Sequence, residues 1–242
     1  MVELAAKLNL PCSSSLAHRS TEFVLAYTQA GLQLLHMPLG AQKYVCLLFV
    51  DFVHGKNGYR LAQNYTSKQP IARAVGIKPG FRPTILDGTA GLGADAFVLA
   101  SLASRVTMCE RSPIIGALLE DGLSRAAREE KTAGIVERLE LVQQDTQEYL
   151  QNNTATFHTI FLDPMYPHRN QSSLNKQALR VIRSLVGGDP DSAALLEIAR
   201  ESAENRVVVK RPRKAPLLSE VRPSHVILMK NSRFDIYLTF KS

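Results

Sequence analysis

Tryptophan is absent from the 242 residues, aromatic residues make up 7% of them, and cysteine occurs three times. Cys12, Cys46 and Cys109 are odd in number and far apart, which excludes a disulfide framework and the paired spacing of a zinc site. They read as packing residues rather than nucleophiles. His18, His36, His54, His158, His168 and His225 show no ligand spacing either, so no metal is expected. No stretch approaches the roughly 18–20 unbroken apolar residues needed to span a bilayer. The first ten residues place Glu3 and Lys7 inside a short apolar segment, without the basic lead and long apolar run of a secretory signal. These absences predict a soluble cytoplasmic chain with no membrane contact. Internal repeats and low-complexity tracts are also missing.

What is present is an ordinary globular composition, 45% hydrophobic and 21% charged, which excludes a wholly disordered chain. The net charge of +7 is unevenly spread. Residues 1–80 carry +5, residues 81–162 carry −4 and residues 163–242 carry +6. Basic ends around an acidic middle suggest a surface that meets a polyanion, nucleic acid first among them. Lysines and arginines that merely solvate the surface would give the same sum.

The first 80 residues read as short strands and turns. Residues 22–28 and 32–37 are β-rich runs around Gln29-Ala30-Gly31, a hairpin pattern. Residues 44–53 form another strand candidate, and residues 71–76 a short helix ending at glycine. Pro79-Gly80 and Pro83 mark a boundary, giving a small β-rich N-terminal subdomain over 1–80 and a second unit over 81–242. From Thr84 onward strands and helices alternate. Strands are expected at 84–87, 105–110, 139–145, 159–163 and 206–210, with helices at 94–103, 113–131 and 193–202. A terminal hairpin of 225–229 with 236–240 closes the chain. Such alternation predicts an α/β fold, a mainly parallel Rossmann-like sheet covered on both faces with an antiparallel strand at its C-terminal end.

Asp87-Gly88-Thr89-Ala90-Gly91-Leu92-Gly93-Ala94-Asp95 joins the first of these strands to its helix, where glycines let the backbone approach a ligand. Glu110 ends the next strand, 23 residues after Asp87, and suits the two hydroxyls of a ribose. Asp145 ends the third, within reach of an adenine amino group. Residues 91–96 also satisfy the loose dinucleotide pattern. A carboxylate at Asp87 would repel a pyrophosphate, however, and suits the cationic end of S-adenosylmethionine.

The motif at the fourth strand's end decides the reaction class. Leu162-Asp163-Pro164-Met165-Tyr166-Pro167 is close to the D/N-P-P-Y/F tetrapeptide of methyltransferases that act on exocyclic or amide nitrogens. Such a nitrogen is a poor nucleophile because its lone pair is delocalised. The Asp163 carboxylate and the Pro164 carbonyl can accept its two N–H groups and turn the lone pair toward a methyl donor. Proline restrains that turn, and Tyr166 can stack on a base. Val209-Lys210-Arg211-Pro212-Arg213-Lys214 supplies four cations at the fifth strand's end, and Lys210, Arg211 and Arg213 are expected to hold RNA phosphates. Arg169, Lys176, Arg180 and Arg183 would extend that surface. A solvated loop would look the same in sequence.

Taken with Phe49-Val50-Asp51-Phe52-Val53, Val207-Val208-Val209-Lys210-Arg211-Pro212 and Arg233-Phe234-Asp235-Ile236-Tyr237, these motifs resemble the small-subunit ribosomal RNA methyltransferase J family over about residues 46–240. The resemblance implies a class I methyltransferase fold, S-adenosylmethionine as donor with S-adenosylhomocysteine as product, and methylation of a guanine N2 in 16S ribosomal RNA of the small subunit. Cofactor contacts carried over by position are Ala94, Asp95, Glu110, Arg111, Asp145, Thr146 and Asp163, beside Asp87 and Gly91 of the glycine loop. Neither a metal nor an obligate protein partner is implied. Two other readings stay open: a DNA adenine or protein glutamine methyltransferase, and a ribosome-assembly module that has lost activity.

Overall fold

The computed structural model describes residues 2–13, 22–37, 43–54, 66, 68–102, 104–164 and 191–239. Tyr166, Arg169, Lys176, Arg180 and Arg183 lie outside them. A helix α1 (Val2–Lys7) is followed by three antiparallel strands, β1 (Phe23–Thr28), β2 (Gly31–His36) and β3 (Val45–Phe49), in that spatial order. The hairpin forms as expected, with Thr28 opposite Gly31 across the two-residue turn Gln29-Ala30. The third strand is shorter than its sequence pattern. The Asp51 carboxylate accepts the N–H groups of Val53 and His54 and turns the chain. Helix α2 (Pro70–Val75) ends at Gly76, whose positive φ of 87° and N–H bonds to the Ala72 and Arg73 carbonyls close it.

The large sheet has seven strands: β4 (Ile85–Asp87), β5 (Val106–Cys109), β6 (Leu139–Val142), β7 (Phe157–Leu162), β8 (Ala203–Pro212), β9 (His225–Leu228) and β10 (Ser232–Leu238). Their order is β6-β5-β4-β7-β8-β10-β9, parallel from β6 through β8 and antiparallel for the last two pairings. The predicted terminal hairpin is therefore present, but β10 runs between β8 and β9. Helices α3 (Ala94–Ser101), α4 (Pro113–Ala126), α5 (Glu130–Val136), α6 (Thr146–Asn152) and α7 (Ser192–Ser202) are the remaining helices among the described residues.

Two local expectations are corrected. The single helix expected over 113–131 is two. Arg128 and Glu129 bond back three residues, to the Arg125 and Ala126 carbonyls, and the Thr132 hydroxyl also donates to Ala126. The strand expected to run through Asp145 ends at Val142, and Asp145 instead caps α6, its carboxylate accepting from the N–H groups of Gln147 and Glu148.

The N-terminal strands share a core with the large unit. Leu32, Leu34, Leu48, Val50 and Phe52 pack in one cluster with residues of α3, α4 and the sheet. Polar ties fix the contact. Asp121 on α4 accepts the Leu32 N–H at 3.1 Å and pairs with Arg125 at 2.9 Å, and Arg125 also donates to the Val50 carbonyl. Phe52 stacks on Phe97 of α3 with centroids 4.6 Å apart. Among the described residues no helix is long and apolar enough to cross a membrane.

Candidate active site

Strand β4 leads on to β5 and its neighbour β7 leads on to β8, so the connections from these two adjacent strands run in opposite directions and a crevice opens at their carboxyl ends. A cleft of about 370 Å³ occupies this crevice. Its floor is the glycine loop, shaped by two close approaches. A Cβ on Gly88 would lie 2.8 Å from both Leu162 and Thr146 side-chain carbons, and one on Gly93, where φ is 73°, would meet Leu119 at 2.7 Å and Phe52 at 3.0 Å. Phe52 of the Phe49–Val53 motif thus acts at the cleft from below, by setting where the loop can run.

Backbone N–H groups hold the carboxyl groups of Asp87, Glu110 and Asp145. Glu110, 6% exposed, accepts the Gly91 N–H at 2.9 Å on one oxygen and the Ser112 N–H at 2.8 Å on the other. The Thr146 hydroxyl donates to the Gly88 carbonyl at 2.7 Å. Thr89 joins the two halves of the site: its N–H donates to Asp87 at 3.1 Å, and its hydroxyl accepts the Asp163 N–H at 2.6 Å. Arg111 lies 3.4 Å from Asp191 and 4.0 Å from Asp145. Lys210 places its ammonium between Asp95, at 2.5 Å, and Asp163, at 2.8 Å. Burial opposes that charge, but the two carboxylates outweigh it and hold Lys210 above its ordinary value.

Asp87 is 2% exposed, and burial pushes its carboxyl from 3.8 up to about 8, with Asp95 and Asp163 adding to the shift and the Thr89 N–H and Lys210 opposing it. The consequence for stability has a definite sign. Between about 4 and about 8 the unfolded chain releases a proton that the folded protein keeps, so stability falls as pH rises, by at most about 1.4 kcal/mol per pH unit. Asp87→Asn is expected to flatten that decline and to melt at a higher temperature than the parent at pH 9, with little difference at pH 4. Thermal melts across this range check it, and parallel curves would refute it.

Besides Asp87, which burial keeps protonated near neutral pH, the lining includes five acidic side chains, Asp95, Glu110, Asp145, Asp163 and Asp191, against two cations, Arg111 and Lys210. A dinucleotide pyrophosphate would be repelled here, whereas a ligand carrying a sulfonium and an ammonium is drawn in. Leu92, Ile115, Phe161 and Leu195 give apolar walls of the kind a flat purine ring packs against. The donor set therefore fits S-adenosylmethionine.

The chain is 51% identical over 239 residues to the ribosomal RNA small subunit methyltransferase J of Desulfotalea psychrophila, covering 98% of this chain and 90% of that protein. It belongs to the ribosomal RNA small subunit methyltransferase J family. The protein of the same name from Pseudomonas fluorescens (strain Pf0-1) is 48% identical, over 96% and 87% of the two chains. Residues 3–239 match the family model described as "Putative SAM-dependent methyltransferase". A SAM-dependent methyltransferase of Neisseria gonorrhoeae, known as a crystal structure, superposes with a TM-score of 0.75 at 30% identity, covering 100% of this chain and 92% of that one. Like that family, the protein is an S-adenosylmethionine-dependent methyltransferase.

Within this methyltransferase J fold the cleft gathers Asp87, Gly91, Ala94, Asp95, Glu110, Arg111, Asp145, Thr146, Asp163, Pro164 and Lys210. Two residues of the basic segment are elsewhere. Arg211 is 5% exposed and donates to the Pro216 carbonyl at 3.0 Å, so the fold turns it inward. Arg213 is exposed, outside the cleft, 3.4 Å from the Met229 carbonyl. Arg233, paired with buried Asp235 at 2.7 Å, donates to the carbonyls of Pro212, Arg213 and Ala215 and fixes this loop. Cys109 is buried at the cleft, its thiol pushed up to about 12 by burial, which keeps it protonated. Sequence reasoning missed Thr89 and Asp191. Thr89 stands inside the glycine motif, where its hydroxyl carried no distinguishing sign, and nothing local marks Asp191.

Proposed function

We propose that the protein methylates the exocyclic N2 of a guanine in 16S ribosomal RNA, working in the cytoplasm on the small ribosomal subunit. The names of its relatives support the RNA substrate. The observation that carries the nitrogen chemistry is Asp163, set at the end of β7 beside the cofactor cleft and tied through Thr89 to the glycine loop. When bound, S-adenosylmethionine supplies an activated methyl group and leaves as S-adenosylhomocysteine. Glu110 and the apolar walls would hold its nucleoside end, and Asp87 and Asp95 would face its charged end.

The chain's own work is positioning. The Asp163 carboxylate and the Pro164 carbonyl accept the two N–H groups of the amine and aim its lone pair along the transfer line. Methylation leaves the nitrogen one proton in excess, and that proton departs along the hydrogen bond to Asp163. Lys210 pairs with Asp163 at 2.8 Å and aims it, rather than gripping phosphate as the sequence suggested. Tyr166 stacks on the base. Arg213 and Lys214, both exposed, meet the RNA backbone. A paired guanine must leave its stack first, and these contacts offset that cost.

The test is incubation with labelled S-adenosylmethionine and small subunits lacking their own methylation, then nucleoside mass spectrometry. N2-methylguanosine is the expected product. Methyladenosine, or no methylated nucleoside despite bound cofactor, would overturn the reading.

A further inference from the structure

At the opposite edge of the large sheet, where β7 and β8 begin, lies a second cavity of about 370 Å³. Arg73, Lys78, Phe81, His158, Asn205 and Arg206 line it, and among the described residues no carboxylate does. Its distance from the cleft follows from β8, which carries Arg206 at one end and Lys210 four residues on, about 13 Å at the usual strand rise.

The cations here are not accounted for by the fold. Among the described residues none of Arg73, Lys78 and Arg206 forms an ion pair. The end of α2 uses only Arg206 of the three, at the Ala74 carbonyl, because the N–H groups of Gly76 and Ile77 already serve the Ala72 and Arg73 carbonyls. Arg206 is positioned by two bonds, Nε to the Asn205 side-chain oxygen at 2.8 Å and Nη1 to the Ala74 carbonyl at 3.4 Å, which use two of its five N–H groups. Burial holds Arg206 below its ordinary value, a charge partly stripped of water and, among the described residues, without an ion-pair partner. Lys78 sits 5.7 Å over the Phe81 ring, which meets His158 edge-on at 4.9 Å. Burial, with Arg206 and Lys78 adding to it and Glu204 opposing, keeps His158 below its ordinary value. The site is therefore an electropositive pocket with an aromatic wall, in which three cations face Glu204 as the acidic group acting on it.

We infer that this cavity binds a phosphate of the ribosomal RNA backbone, as a second anchoring contact remote from the methylated base. The inference rests on the RNA reading above and adds where the substrate is held. Phosphate in an RNA chain and free inorganic phosphate share the chemistry, so the experiment separates them.

Arg73→Glu/Lys78→Glu alters two exposed side chains outside the cleft. Affinity for 16S ribosomal RNA and for small subunits is measured over a salt series, beside cofactor affinity by calorimetry. The expected result is about tenfold weaker RNA binding and a salt dependence shallower by about 1–2 in the log–log slope, with cofactor affinity unchanged. The milder Arg73→Gln/Lys78→Gln should fall between it and the parent. Arg128→Glu/Lys131→Glu, an equal charge change at exposed positions in the α4–α5 connection and the first turn of α5, should move the slope less. Unchanged RNA affinity and slope would overturn the inference while leaving the methyltransferase reading intact. Competition by inorganic phosphate without any change in RNA affinity would also overturn it, leaving a small-anion site only. Failure of the parent protein itself to bind ribosomal RNA would overturn both.

Discussion

Asp163→Ala is expected to reduce methyl transfer at least about 10³-fold, within the range seen when a preorganised acceptor or donor of the reacting group is removed. Cofactor affinity should change only a few fold. The separation follows from the geometry. Glu110, the Gly88–Gly93 loop and the apolar walls form their contacts without Asp163, whereas the amine loses one of its two acceptors and its lone pair is no longer aimed. Asp163→Asn keeps the shape and one acceptor oxygen, but gives Lys210 an uncharged neighbour and presents an N–H where an acceptor is needed. It should fall nearly as far. Single-turnover methylation with mass spectrometric detection of N2-methylguanosine, beside calorimetric cofactor titration, reads both quantities. A rate within tenfold of the parent for Asp163→Ala would remove Asp163 from the chemistry.

Lys210→Met should lower the single-turnover rate about 10–100-fold and leave RNA affinity and its salt dependence where they were. The ammonium bridges Asp95 and Asp163 at 2.5 and 2.8 Å. Removing it sets two carboxylates against each other in a site partly shielded from water. Asp163 then holds a proton more readily, so the acid limb of the rate–pH profile moves to higher pH. Lys210→Arg keeps the charge with a wider head group and should restore part of the rate and most of the profile. A phosphate-gripping lysine predicts the reverse: a shallower salt slope, weaker RNA binding and an unaltered rate at saturating RNA. That pattern would return Lys210 to the RNA surface.

The contrast between Lys210 and Arg211 shows where sequence reading stopped. In a list of residues they are two cations in a basic run. On a strand, neighbouring side chains point to opposite faces, so one enters the acidic cleft and the other packs under the Pro216 carbonyl. The run alone cannot say which. By contrast Asp87, Glu110 and Asp163 were legible because each follows a short apolar strand, and strand ends in such a sheet converge on one edge whatever the tertiary detail. Helix α6 was not legible. Its segment Thr146–Asn152 is mostly polar and buries only Thr146 and Tyr149, so it offers no apolar periodicity, and its one strong sign, the capping Asp145, had already been read as a strand end. The split between α4 and α5 has a similar cause, since Thr132 competes for a helix-terminal carbonyl through a side chain whose reach no spacing rule reports. The order of the last two strands was open because a hairpin pattern fixes pairing, and not which arm faces the sheet.

That order bears on how the protein is made. Strand β8 buries Val207, Val208 and Val209 and becomes an interior strand only when β10 docks along it. Residues 232–238 are synthesised after every other strand of the sheet, β9 included. Until they emerge, β8 is an open edge with a β-branched face, a template on which another nascent chain can pair. Premature termination before residue 232 would thus leave an adhesive product rather than a slightly shortened enzyme.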